Sequence, residues 1–377
     1  MQLFYSTTLY TYIAKEYTKI LFILFFSFCF IVFLGDLLEL SRKALDKEMS
    51  FFTLCELSLF KMPKVAQKLL PFCIMLATVL TFAKFSRSSE LVVFKSSGLS
   101  AFGYIFPAII VALIGGIVLI TFLNPISVVM LKKYSSLSEK YFKESGAKSS
   151  IGKSGLWLKQ DDKNPENNLG QIIITAKDIE QTKEVQKSKD ITLINATIFY
   201  FDASNVFLKR IDASRMILKG DHWYLKNLLV TNPNATNQYI NELNIPTTLS
   251  VKDIYDSFTP PENINVFELQ KFINTLEKSG FSALPHRLEF YNILLSPLFF
   301  MSMVLFGSLF SFSHTRSNKQ GMLIALSVII GFIVYFFSNL IFSLGLSGKI
   351  PLILSSLSPI FLLASISIYF LIHLREA

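Results

Sequence analysis

The sequence predicts an α-helical membrane protein with six transmembrane helices and an inserted all-β domain. Of its 377 residues, 51% are hydrophobic, and the mean hydropathy of +0.47 is too high for an ordinary soluble protein. Three long apolar runs precede a polar middle region, and three follow it. The middle region alternates apolar and polar side chains with a period of two, which is typical of half-buried strands.

The first three spans are predicted at residues 20–38, 69–83 and 96–131. The second is short, so Lys68 and Lys84 must extend their charged ends to the two interfaces for it to cross. None of the six predicted spans carries an Asp, Glu, Lys or Arg near its midpoint, where ion-coupled transporters and proton pumps need them. If this protein moves a substrate, we expect the energy to come from a partner.

The polar stretch at residues 84–100 separates the second and third apolar runs and predicts a short surface helix. Ser86 or Ser88 can serve as its N-cap, Glu90 falls in the first turn, and Gly98 can close the far end. A helix between two spans can offer a surface to a soluble partner, and that is the role we expect here.

Six segments of the polar middle region have the strand period, and turn residues separate them. They are residues 156–159, 171–176, 191–202, 206–211, 214–218 and 223–230. Pro260 and Pro261 end this antiparallel domain. An amphipathic helix closed by Gly280 follows, with one apolar face made by Val266, Leu269, Ile273 and Leu276.

The last three spans are predicted at residues 290–313, 321–347 and 350–374, which places both termini on one side of the membrane and the β domain on the other. The positive-inside rule does not say which side is cytoplasmic, because eight basic residues flank the spans on one side and seven on the other. The predicted organisation is residues 1–131 for spans 1 to 3 with the surface helix at about 86–98, 132–262 for the β domain, 263–289 for the connecting helix and 290–377 for spans 4 to 6.

Basic residues also gather on the β-domain side of the first two spans. The net charge of +9 could indicate nucleic acid, anionic lipid headgroups or lysine-rich membrane flanks, and the apolar spans favour the lipid interpretations over nucleic acid. Each basic residue is either part of a solvated, lipid-flanking run or a contact for an anionic lipid. The candidates for the second role are Arg42, Lys43, Lys47, Lys61 and Lys64.

Catalytic and metal-binding motifs are not found. Gly152-Lys153-Ser154 lacks the glycine that a phosphate-binding loop needs five positions before Gly152, where Ala147 stands. The four histidines are far apart in the sequence, and neither an HExxH motif nor a Cys/His pairing is present. We therefore predict no catalytic residue, no metal site, no cofactor and no enzyme activity in this chain.

Four motifs, taken in this order and spacing, resemble the lipopolysaccharide export permeases of the LptF/LptG (YjgP/YjgQ) family. They are Arg87-Ser-Ser-Glu90-Leu91 ending in Ser97-Gly98, Gly155-Leu-Trp157, Gly220-Asp-His-Trp223, and Leu269 to Gly280 followed by Arg287-Leu-Glu289. The resemblance covers nearly the whole chain. The motif Gly155-Leu-Trp157 and the run Ser89-Glu-Leu-Val-Val93 look more like LptG than LptF.

The resemblance implies a multi-pass protein of the bacterial inner membrane with a periplasmic β-jellyroll. It implies pairing with an LptF-like subunit on an LptB-like ATPase dimer. Lipopolysaccharide would enter between the subunits from the outer leaflet, with spans 1 and 5 at lateral gates, and pass through the jellyroll to LptC-like and LptA-like bridge proteins. The jellyroll residues Ile172, Ile174, Ile198, Tyr200 and Phe207 would form either an ordinary core or a slot for acyl chains.

The resemblance also gives the surface helix a role, that of a coupling helix docked on the ATPase. Arg87, Glu90 and Leu91 would fall on it, with Phe94 on the same face as Leu91. One departure concerns lipid binding. Some members carry a lysine near the outer end of span 1 where this chain has Asp36, which makes Arg42 and Lys43 the better candidates for phosphate contact.

Two other classes of protein remain open at the level of sequence. One is a membrane receptor or scaffold whose β domain binds a partner without transport. The other is a different ATP-driven permease of the lipoprotein-releasing type, against which the split of three spans on each side of the β domain argues.

Overall fold

The computed structural model describes residues 7–45, 49–96, 100–142, 156–161, 169–180, 191–202, 206–233, 236–247, 259–278, 281–310 and 320–376. The chain divides into two units, which are described separately. The first comprises residues 1–142, 262–267 and 284–377, and the second comprises residues 143–261 and 268–283.

The helices before the β strands are α1 (Thr7–Lys43), α2 (Phe51–Arg87), α3 (Glu90–Ser96), α4 (Ala101–Val118) and α5 (Asn124–Phe142), with a π-helix at Leu119–Leu123 between the last two. After the strands come a 3-10 turn at Pro261–Asn263, then α6 (Val266–Lys278), α7 (Leu284–Leu294), α8 (Ser296–Leu309), α9 (Gln320–Leu346) and α10 (Leu352–Glu376).

Among the described residues, five helical segments are long and apolar enough to cross a membrane: α1, α2, the run from α4 through α5, α9 and α10. A sixth span results if α7 and α8, which are bent by 56° at a short break, are counted together. This agrees with the predicted helical membrane protein. The helices extend beyond the predicted apolar runs, because snorkelling lysines and interfacial polar residues continue the same helical turns.

Helix α2 is the centre of the helical unit. In the most apolar 18-residue stretch of each helix, 56% of the residues are buried in α2, 6% in α1 and 17% in α9. Phe72 of α2 contacts Phe28 of α1 and Phe332 of α9, with ring centroids 5.7 and 5.4 Å apart. Spans 1 and 5 therefore touch α2 and expose most of their apolar surface.

Small residues allow close backbone approach between helices. A Cβ atom placed on Gly307 of α8 would lie 2.8 Å from the carbonyl oxygen of Met75 in α2. One placed on Gly116 of α4 would lie 2.4 Å from Cα of Pro297 in α8. These glycines are needed because any side chain there would overlap backbone atoms of the neighbouring helix.

The β unit contains six described antiparallel strands: β1 (Leu156–Asp161), β2 (Leu169–Glu180), β3 (Ile191–Asp202), β4 (Phe207–Lys219), β5 (His222–Thr231) and β6 (Gln238–Pro246). Each strand pairs with the next along the chain, in the order β1-β2-β3-β4-β5-β6. Strands β4 and β5 are joined by Gly220 and Asp221, and Gly220 adopts a φ of +58°, which suits a two-residue hairpin turn.

The predicted all-β character of this unit is confirmed. The two predicted segments at 206–211 and 214–218 form one strand, β4, because Asp212 and Ala213 keep pairing across the gap. Strand β6 lies outside the predicted segments. The described strands follow an up-and-down order, which differs from the Greek-key order of a jellyroll.

One face of the sheet forms the core of the β unit. Its largest buried side chain is Trp223 of β5, which lies opposite Leu218 of β4 and Ile245 of β6. Four of the five residues considered for an acyl slot, namely Ile172, Ile174, Ile198 and Tyr200, are buried in this core, whereas Phe207 is exposed.

Candidate coupling and lipid-handling sites

The surface helix predicted at residues 86–98 is α3, a seven-residue helix that starts at Glu90. Its start differs from the prediction because α2 continues to Arg87, where the Ser88 N–H donates to the Lys84 carbonyl and the Ser89 N–H donates to the Ser86 carbonyl. Ser89 then adopts a φ of +60°, a left-handed conformation that turns the chain sharply. The predicted closing residue, Gly98, lies outside the described residues.

Helix α3 is held to the helical unit by its apolar face. Leu91 and Phe94, predicted to share a face, are both buried in the core of this unit. The ring of Phe94 meets that of Phe85 in α2 edge to face at 5.7 Å, and Phe85 meets Phe82 at 6.1 Å. This face therefore anchors α3 to its own subunit.

The other face of α3 is open. Val92 and Val93 are 61% and 62% exposed, and Arg87 is exposed at the end of α2. Two adjacent exposed valines beside a basic residue make a small apolar patch with a charged border. A soluble partner could bury this patch without unfolding α3.

Glu90 lies between the two faces of α3 and is tied to its surroundings. The Ser88 hydroxyl donates to Glu90 Oε1 at 2.6 Å, and Tyr12 of α1 lies next to the same carboxylate. In the last turn of α2, Lys84 Nζ donates to Glu16 Oε2 of α1 at 2.6 Å. These contacts join the start of α1 to the end of α2, so the turn before α3 is fixed from two sides.

The candidate lipid-binding residues lie at the opposite end of α1 and α2, and they differ in how their charges are satisfied. Arg42 is exposed at the end of α1. Lys43 pairs with Glu39 one turn earlier, with both side chains 58% exposed. Lys47 lies outside the described residues.

Lys61 of α2 pairs with Asp36 of α1, and the Asp36 side chain is buried. Asp36 therefore does not face the solvent as a free negative charge. It neutralises a lysine on the neighbouring helix, and the Ser58 hydroxyl donates to the Phe33 carbonyl one turn away.

Lys64 is buried and belongs to a larger ionic cluster. Its Nζ lies 2.9 Å from Glu289 Oε1 in α7 and 3.9 Å from Glu262 Oε2. Lys68 Nζ lies 3.2 Å from Glu262 Oε1. This cluster joins α2 to α7 and to the 3-10 turn that precedes α6.

Sequence reasoning did not single out Glu262, and it did not predict that Val92 and Val93 are an exposed pair or that Asp36 and Glu289 pair with lysines. The valines carry no charge, and the run in which they lie does not report their exposure. The acidic partner Glu289 is 225 positions from Lys64, and no local pattern reports a pairing over that distance. Only the helical period of α3 could have shown that Leu91 and Phe94 lie on one face of the helix and Val92 and Val93 on the other.

A family model described as "Lipopolysaccharide export system permease LptF/LptG" matches residues 11–373 of the chain. The match includes both sets of helices, the β unit and all the candidate residues above. No curated protein matches the chain.

Proposed function

Because the chain belongs to the lipopolysaccharide export system permease LptF/LptG family, we propose that it is the LptG-like subunit of an ATP-driven lipopolysaccharide export complex. In this proposal it resides in the bacterial inner membrane with its β unit in the periplasm. It pairs with an LptF-like subunit and an LptB-like ATPase dimer, takes lipopolysaccharide from the outer leaflet, and passes it to LptC-like and LptA-like proteins.

The observation that carries this proposal is the two-sided character of α3. An anchor made by Leu91 and Phe94 holds the helix in place, while Val92 and Val93 face outward beside Arg87. A transporter whose energy comes from a separate ATPase needs a surface element that is rigidly joined to its spans and free to be contacted. We assign Leu91 and Phe94 to the anchor, and Arg87, Glu90, Val92 and Val93 to the contact.

The exposure of the spans supports a paired subunit. Helices α1 and α9 are the first and fifth spans. Among the candidate spans, their most apolar stretches have the smallest fractions of buried residues. Exposed phenylalanines on α1, such as Phe26 and Phe30, would face lipid or a second subunit. These are the spans assigned to the lateral gates.

For the lipid phosphates we propose Arg42 and Lys43 as the first contacts. Both are exposed at the end of α1, and the Lys43–Glu39 pair is solvated enough to exchange partners. Lys61 and Lys64 have acidic partners on neighbouring helices, so we assign them to the packing of the helical unit.

The proposed contact surface is tested by replacing Val92 and Val93 together with aspartate. Because both are exposed, the change should leave the stability of the subunit nearly unaltered. It should place two uncompensated charges in the ATPase interface and reduce recovery of the ATPase with the purified complex by about tenfold or more, since a buried unpaired charge costs several kcal/mol. Recovery is measured by affinity purification from membranes.

The matched control is Val206→Asp, an equally exposed valine on the β unit, which should leave ATPase recovery unchanged. Unchanged recovery for the Val92/Val93 variant would remove α3 from the coupling role. A subunit that never recovers an ATPase would instead favour the scaffold interpretation.

A further inference from the structure

A half-open cavity of about 200 Å³ lies in the helical unit, where α2, the π-helix, α7, α8, α9 and α10 meet. Most of its wall is apolar, with Leu119, Ile293, Phe299, Phe300 and Ile360 among the lining residues. It is distinct from the exposed faces of α1 and α9, because among the residues that the structure describes none of α1 lines it and Phe342 alone lines it from α9.

The cavity changes from polar to apolar along its length. On α2 it is lined by Lys64, Gln67, Lys68 and Pro71, which lie on one helical face. Helices α2 and α7–α8 run in the same direction, since Lys64 meets Glu289 near the start and Met75 meets Gly307 further along. The charged residues therefore collect at one end, and the phenylalanines of α8 line the other.

Two irregular backbone features border this cavity. The break between α7 and α8 occurs at Leu295, a lining residue, where the two helices are bent by 56°. The π-helix begins at Leu119, a second lining residue. Breaks and π-helices interrupt regular packing, and they are found at functional sites more often than elsewhere. Here both face the same space.

Ser356 of α10 lines the cavity with a polar group that has no partner. Ser356 is only 4% exposed, and its hydroxyl has no hydrogen-bond partner among the described residues. A buried hydroxyl that makes no hydrogen bond is unfavourable, so an acceptor inside the cavity would stabilise it. Ser356 lies near the start of α10 and Phe342 near the end of α9, which places this part of the cavity close to a membrane boundary. The ester carbonyls of a phospholipid occur at that depth.

The charged end of the cavity is electrically balanced. Lys64, Lys68 and Glu289 line this end, and Glu262, which pairs with both lysines without lining the cavity, makes the basic and acidic groups of the ionic cluster equal in number. A headgroup with one phosphate and one ammonium matches this set, because each of its charges finds an opposite charge. A ligand with several phosphates would bring excess negative charge against Glu289, which lines the cavity.

We propose that this cavity binds the glycerol-proximal part of one acyl chain of a zwitterionic glycerophospholipid with a primary amine, with an ester carbonyl accepting a hydrogen bond from Ser356. The phosphate lies toward Lys68 and the ammonium group toward Glu289. The ligand is a resident lipid of the subunit and not the exported substrate, so the inference goes beyond the proposed function.

The test uses the full chain, purified and reconstituted in nanodiscs that contain a photoactivatable phosphatidylethanolamine. Mass spectrometry should map crosslinks to lining residues such as Phe300 and Ile360. Unlabelled phosphatidylethanolamine should compete several-fold better than phosphatidylglycerol, and purified lipopolysaccharide should not compete.

Three variants separate the specific site from general lipid contact. Ser356→Ala removes the hydroxyl and should reduce crosslinking about fivefold, the effect of one lost hydrogen bond. Ser356→Phe should fill the cavity and abolish crosslinking. Ser355→Ala is the matched control and should retain full crosslinking, because Ser355 is also buried, donates to the Leu352 carbonyl and does not line the cavity.

Wild-type crosslinking in Ser356→Ala, or equal competition by phosphatidylglycerol, would overturn the proposal. Competition by lipopolysaccharide would also overturn it, since the cavity would then be part of the export route. Ser356→Ala keeps the test decisive even if Ser356→Phe does not fold. The readout requires neither the ATPase nor export, so its failure is distinct from a failure of the proposed function.

Discussion

At the scale of single residues, the helical unit depends on a few positions where only glycine fits. Gly115 and Gly116 are adjacent in α4, yet their surroundings differ completely. A Cβ on Gly116 would come within 2.4 Å of Pro297 Cα, whereas a Cβ on Gly115 would meet no atom within 4 Å. The contact partner at Gly116 is backbone, which cannot rotate away as a flexible side chain can.

This difference gives a matched pair of variants. Gly116→Ala should lower the free energy of unfolding by about 1–3 kcal/mol, the usual cost of forcing extra atoms into a packed core. Gly115→Ala should not lower it, because space is available and alanine favours helix more than glycine does. The comparison is made by denaturation of both variants in mixed micelles. Equal loss in the two variants would contradict the close α4–α8 approach.

At the scale of elements, most helices and strands could be predicted from hydrophobic period, and the errors have identifiable causes. Strand β3 was predicted at residues 191–202 and has those bounds, because its buried face is continuous. Strand β6 was missed since most of its side chains are exposed or half-exposed and Ile245 is its one residue in the buried core. A strand at the sheet edge carries too few apolar residues to show the alternation.

The candidate sites were predicted in part, because sequence shows which residues are charged but not where they pair. Lys61 and Lys64 resembled free basic residues beside a span. Their partners Asp36 and Glu289 come from other helices, so only the folded arrangement reveals that these charges are balanced. Likewise, α3 could be predicted from its polar setting, whereas its division into an anchored and an open face depends on Phe85 of α2.

The ion pair between α2 and α7 is testable as an element-level contact. Lys64→Met leaves Glu289 without its closest partner and should cost about 3 kcal/mol, as expected for breaking a buried pair. Adding Glu289→Met should recover much of that loss, giving a coupling free energy of about 1–3 kcal/mol. The measurement is a double-mutant cycle by denaturation in mixed micelles.

The exposed pair Lys43–Glu39 provides the control for this cycle. Both of its side chains are solvated, so the corresponding cycle should show no measurable coupling. Additive effects at Lys64 and Glu289 would mean that the pair does not hold α2 and α7 together.

At the scale of the whole molecule, the helical unit is unevenly packed. Helix α2 is largely enclosed, while α1 and α9 leave apolar side chains exposed along most of their length. In the function proposed above, this surface is where a second subunit and the lipid substrate would bind. The uneven packing predicts which spans form contacts outside the chain.

Photocrosslinkers placed on these spans should distinguish inner from outer positions. A crosslinking amino acid at Phe26 of α1 or Phe336 of α9 should capture the partner permease subunit or lipopolysaccharide in intact membranes, because both side chains are at least 60% exposed. The same amino acid at Met75 of α2, which is fully buried, should capture neither. Similar yields at all three positions would contradict the assignment of spans 1 and 5 to the gates.

The length of helix α2 has a mechanical consequence. Helix α2 runs as one helix from Phe51 to Arg87, about 55 Å at the rise of an α-helix, with Pro63 and Pro71 inside it, and only Ser88 and Ser89 separate it from α3. Lys61 and Lys64 lie in its first half, so the helix that ends at the proposed ATPase contact also carries the ion pairs to α1 and α7. A force on α3 would be transmitted along this helix, and bending would concentrate at Pro71 and at Pro63, which lies between the lysines that form those ion pairs.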